Sequence, residues 1–118
     1  MKNLVLCLLL ISTTAAASLL VGFATVSANG TAQIVDTSNH RSPLTVSIIP
    51  QSGTAGTIEF SNTANAAAAS GVANWQVLGS ASNVSVSTTV IVTAPISALR
   101  FTRTSGASAV IGEVSWNQ

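Results

Sequence analysis

The chain has 118 residues, 47% of them hydrophobic and 6% charged, against about 25% charged in an average soluble domain; four Lys+Arg and three Asp+Glu leave a formal net charge of +1. This length fits one domain and excludes a two-domain enzyme, and the charge falls far short of what neutralising a phosphate backbone requires, so nucleic acid is excluded as a partner. The single cysteine closes no intrachain disulfide, and high hydrophobicity with low net charge is the opposite of a disordered composition, so packing must hold the fold.

Residues Leu4 to Ala28 carry no charge, and Lys2 is the sole positive residue ahead of the run. Two readings stand open for this apolar N-terminal segment, 1–28. As a secretory signal peptide, Lys2 is the n-region, Leu4 to Ile11 the h-region, and cleavage falls after Ala17 or Ala28, where small residues precede the cut. As a retained segment it is a strand or helix arm of the fold, or a membrane anchor diluted by Ser12, Thr13, Thr14 and Gly22. Cys7 reads as a buried apolar side chain.

From Asn29 onward, short alternating segments separated by turn residues give the period of half-buried strands. In Pro43 to Pro50, Leu44, Val46 and Ile48 fall on one face and Thr45 and Ser47 on the other. In Gly56 to Asn62, Ile58 and Phe60 point inward and Thr57, Glu59 and Ser61 outward. The interval Ala64 to Ser70 is too short for a lasting helix and reads as a loop or a single helical turn. Val84, Val86, Val90 and Val92 alternate with Ser and Thr; Leu99 and Phe101 alternate with Arg100 and Thr102; Val110, Val114 and Trp116 alternate with Ile111, Glu113 and Ser115. Turn residues lie between these runs, and Ser105-Gly106 predicts a hairpin joining the last two strands. The expected fold is all-β: an antiparallel β-sandwich of jelly-roll or Ig-like type over residues 29–118, with Ile58, Phe60, Trp75, Leu99, Phe101 and Trp116 in its core.

The body of the chain is poor in catalytic chemistry. Its titratable side chains are Asp36, His40, Arg41, Glu59, Arg100, Arg103 and Glu113. Asp36 and His40 fall in a polar loop-like stretch with no nucleophile elbow, and one histidine with three scattered acids offers no metal-ligand cluster. Glu59 and Glu113 read as outward strand residues balancing Arg100 and Arg103, rather than as a glycosidase pair. No catalytic residue, cofactor or metal is assigned. Sugar stacking on aromatics is a weaker reading of Trp75 than a core position.

Three segments carry a resemblance: Thr57-Ile58-Glu59-Phe60-Ser61, Trp75-Gln76-Val77-Leu78-Gly79, and Ala94 through Gly106 (APISALRFTRTSG). They resemble, in order and spacing, small phage-encoded β-sandwich proteins of the capsid decoration, or cement, kind, where a T-(I/V)-E-(F/Y)-S strand precedes a loop, a Trp-containing strand follows, and a proline opens a strand reading P-(I/V)-x-A-(L/V)-R-(F/V)-T. The resemblance implies a non-enzymatic virion protein that binds capsid or other virion subunits and forms a homo-oligomer. The alternative is a secreted or surface-attached bacterial protein, a pilin-like subunit or adhesive module, placed outside the cell or on its surface by a cleaved leader.

Overall fold

The computed structural model describes residues 18–39 and 43–117. Within them the chain forms eight strands: β1 (Ser18–Val26), β2 (Ala32–Asp36), β3 (Leu44–Pro50), β4 (Ala55–Ser61), β5 (Gln76–Val77), β6 (Thr88–Val92), β7 (Ala98–Ser105) and β8 (Val110–Asn117). They make two antiparallel four-stranded sheets, ordered β1-β8-β3-β6 and β2-β7-β4-β5. Four nested pairings generate this order: β1 with β8, β2 with β7, β3 with β6 and β4 with β5. The chain is thus one long hairpin rolled on itself, and the β3–β8 and β4–β7 pairings join the turns of the roll. This is a jelly roll. An Ig-like sandwich would keep the first two strands in one sheet, whereas here they lie in opposite sheets.

Alternation in the sequence sets which side chains face inward. Leu44, Val46 and Ile48 of β3, Leu99 and Phe101 of β7, and Val110 and Val114 of β8 are buried, and Ile58 of β4 joins them. Phe60 and Trp116 are half-buried and pack against this core. Gly112 has its own packing role. A Cβ there would lie 2.5–2.6 Å from three carbons of the Phe101 ring, so the absent side chain is what lets the largest core residue lie flat against β8.

The structure departs from the sequence expectations at several points. The Ser105-Gly106 turn does not close a hairpin: β7 and β8 belong to different sheets, and the connection arches over the end of the sandwich. Gly106 sits there at φ +96° with Thr54 Cα 2.6 Å from where its Cβ would be, and the Thr54 hydroxyl receives the Ser108 N–H at 3.2 Å. Val84 and Val86 do not extend β6; Val84 makes an isolated bridge with Gly56, and Val86 is exposed. Ser61, outward by alternation, is buried because its carbonyl accepts the Ser97 N–H and its hydroxyl accepts the Thr63 N–H. Trp75 is outside the core, over Arg100 on the outer face of the second sheet. β1, a strand as in the retained-segment reading of 1–28, brings Ala24 and Val26 into the core, so the sandwich includes residues ahead of Asn29. Lys2, Cys7 and the cleavage position after Ala17, together with His40 and Arg41, lie outside the described residues.

Candidate functional site

The β4–β5 connection is the one place among the described strands where consecutive elements stay in the same sheet, and residues 62–75 build a compact loop there. The loop closes on itself at its base, where the Thr63 hydroxyl accepts the Asn74 N–H at 3.0 Å. Inside the loop Ala66 is fully buried, the Ala69 N–H donates to the Asn65 carbonyl at 2.9 Å, and the Trp75 indole N–H donates to the Ser70 carbonyl at 3.0 Å. Asn65 takes φ 58°, a left-handed conformation that asparagine tolerates better than most residues. A loop of this length with meeting ends and its own internal bonds is held ready rather than floppy, the behaviour of an Ω-loop.

Its base is pinned to the outer face of the second sheet by a three-layer contact. Glu59 on β4 and Arg100 on β7 stand opposite in register. Their side chains form an ion pair with Arg100 Nη2 at 2.8 Å and Nε at 3.0 Å from Glu59 Oε1. Arg100 lies under the Trp75 ring, its guanidinium carbon 4.5 Å from the ring centroid. Both charged side chains are about a quarter exposed, so the pair contributes under about 1 kcal/mol and the cation–π contact about as much again. Where the two ends of the loop meet β4 and β5, a cleft of about 280 Å³ is lined by Phe60, Asn62, Thr63, Asn74 and Gln76. All five are uncharged.

The second surface of note is the outer face of the β1-β8-β3-β6 sheet. Register places Leu20, Ser115, Thr45 and Ile91 in one row across the four strands, and Phe23, Glu113, Ser47 and Thr89 in the next. Thr25, Ile111 and Ile49 make a third row. Leu20, Phe23 and Ile91 are 60%, 58% and 63% exposed, so this face presents large apolar side chains to solvent around a single carboxylate.

Among the described residues, the remaining charged side chains lie apart from one another. Glu59 and Glu113 lie on the outer faces of opposite sheets with the core between them, which separates them too completely to flank one glycosidic bond. The expected Glu113–Arg103 balance is absent from the described contacts. Arg103 is instead buried at the end of the sandwich, donating to Asn29 Oδ1 and to the Ser108 carbonyl, both at 2.7 Å. It thereby ties the β1–β2 turn to the β7–β8 arch. Asp36 accepts the Ser38 N–H and hydroxyl at 2.9 and 2.7 Å in a local turn.

Of the residues expected in the core, Ile58, Leu99 and Phe101 are fully buried, Phe60 and Trp116 flank the core, and Trp75 holds the loop. Sequence reasoning missed Asn62, Thr63, Asn74 and Gln76. The available signal was the cluster of amide residues at both ends of the alanine run. No protein-family model matches the chain, and no curated protein or solved structure matches it either.

Proposed function

We propose that this protein is a non-enzymatic structural component of a phage virion, a decoration or minor virion protein that adheres to capsid subunits through the outer face of the β1-β8-β3-β6 sheet. The observation that carries the reading is that large apolar side chains are exposed at both edges of that face, Leu20 and Phe23 on β1 and Ile91 on β6, with uncharged Ser and Thr between them. Fold alone decides nothing here, since jelly rolls serve many functions. Four strands about 4.8 Å apart, each some 25 Å long, give a face of about 500 Å², or about 1,000 Å² of total surface when covered. That is the lower edge of a stable interface, so a single contact is weak. A homo-oligomer that engages several lattice positions at once gains through effective concentration, and uncharged Ser and Thr side chains cost little to desolvate.

The test is to purify particles made when the gene is expressed in its own genome and to follow the protein through a density gradient. Co-migration with capsids at a fixed copy number supports the reading, and recovery only in membrane or medium fractions overturns it. Phe23→Thr, at an exposed position on a strand, should leave the melting temperature nearly unchanged and reduce the bound copies at least tenfold.

A further inference from the structure

We infer that the cleft at the mouth of the β4–β5 loop binds a neutral sugar ring. The inference is independent of the capsid reading, because the cleft and the apolar face belong to different sheets.

Three features carry it. The first is chemical. The lining offers three carboxamides, Asn62, Asn74 and Gln76, one hydroxyl, Thr63, and one aromatic ring, Phe60, with no charged group. A carboxamide presents a donor pair and an acceptor on one rigid plane, which matches vicinal hydroxyls that must both give and receive hydrogen bonds. Without a lysine or arginine in the lining, the cleft has nothing to offset the desolvation of a phosphate or carboxylate, and without an acid nothing for an ammonium. The Asn62, Asn74 and Gln76 side chains are exposed and take no hydrogen bond from the described residues, so their bonding capacity is open to a ligand.

The second is size. At about 280 Å³ the cleft lies just below the range of roughly 300–1,000 Å³ used by drug-sized small-molecule sites. It accommodates one ring with its substituents, and a longer glycan would extend into solvent. Phe60 packs against the core while also lining the cleft, so it supplies an immobile apolar wall for the C–H side of the ring.

The third is preorganisation. Asn62 and Gln76 stand on or beside strand ends, and Asn74 is held by its backbone N–H on Thr63. The Trp75–Arg100–Glu59 stack then fixes the chain between Asn74 and Gln76. A ligand entering such a site does not have to order the loop, which is the cost that weakens binding to mobile segments.

The full-length protein is titrated with the methyl glycosides of glucose, galactose, mannose and N-acetylglucosamine, read by saturation-transfer NMR and calorimetry. At least one should bind in the millimolar range. Asn62→Ala and Gln76→Ala should each weaken that binding about tenfold with no change in melting temperature, while Gln33→Ala on β2 should leave it intact. Failure of all four glycosides to bind overturns the inference, as does binding that survives the Asn62→Ala/Gln76→Ala double variant. Tighter binding of glucuronate or glucose 6-phosphate than of methyl glucoside overturns the neutral class.

Discussion

Replacing Gly112 by alanine should damage the core through one collision, and the structure names the other party. The added methyl would fall 2.5–2.6 Å from Cγ, Cδ2 and Cε2 of Phe101, well inside van der Waals contact. Phe101 has no exposed surface and its ring is rigid, so neither a rotamer change nor a move toward solvent relieves the clash. Overpacking of this kind costs about 1–3 kcal/mol, and a rigid ring places it near the upper end. For 118 residues each kcal/mol moves the midpoint by about 4 °C, so Gly112→Ala should melt roughly 8–12 °C below the parent. Phe101→Leu alone should cost about 1–2 kcal/mol through lost contact and a small cavity. In the Phe101→Leu background the same methyl enters vacated space, and its cost should fall below about 1 kcal/mol. The coupling measured by urea denaturation of the four proteins is then about 1–2 kcal/mol, within the range for residues in contact. Additive costs, within about 0.5 kcal/mol, would refute the placement of the Phe101 ring on β8.

Other outcomes follow from the same geometry. Gly106→Ala combines a left-handed φ of +96° with backbone atoms of Gly53 and Thr54 that cannot yield, and should cost at least about 2–3 kcal/mol in chemical denaturation; a neutral effect would mean the arch is wrongly placed. Glu59→Gln should cost under about 1 kcal/mol, whereas Arg100→Ala removes the ion pair and the ring contact together and should shift Trp75 emission to the red. A loss above about 2 kcal/mol from Glu59→Gln would contradict a merely pinning role. A chain starting at Asn29 lacks β1 and uncovers one side of β8, so by circular dichroism it should fail to fold cooperatively where a chain starting at Ser18 does; a stable protein from Asn29 would remove β1 from the essential sandwich.

Strand by strand, the inward faces were readable because alternation and burial are the same fact seen twice: Leu44, Val46 and Ile48, or Leu99 and Phe101, had one way to reach a core. The topology was not readable from turn chemistry. Ser105-Gly106 marks a reversal equally well in a hairpin or an arch, and what selects the arch is the distant Thr54 loop that packs under it. Trp75 misled for a related reason. Its size argued for the interior, but β5 is two residues long and Leu78 and Ala81 already fill the core beside it, leaving the outer face and Arg100 as its partner. The cleft was invisible because its lining residues come from both ends of a loop that a one-dimensional pattern cannot bring together.

The nested pairing also grades the loop-closure cost of each strand pair, which favours an order of assembly. β4 and β5 are joined by the shortest span of chain, then β3 with β6 and β2 with β7, and Ser18 meets Asn117 only when nearly the whole described chain lies between them. Closing each inner pair shortens the loop the next must close, so the roll zips outward and β1 seals last. Folding dominated by such distant pairings runs on the millisecond-to-second scale. Throughout that interval β8 is unsealed on one side, and at high concentration a neighbour's β1 competes for it. An exchange of β1 between copies, turning at Asn29-Gly30, is the misassembly that this late closure would favour.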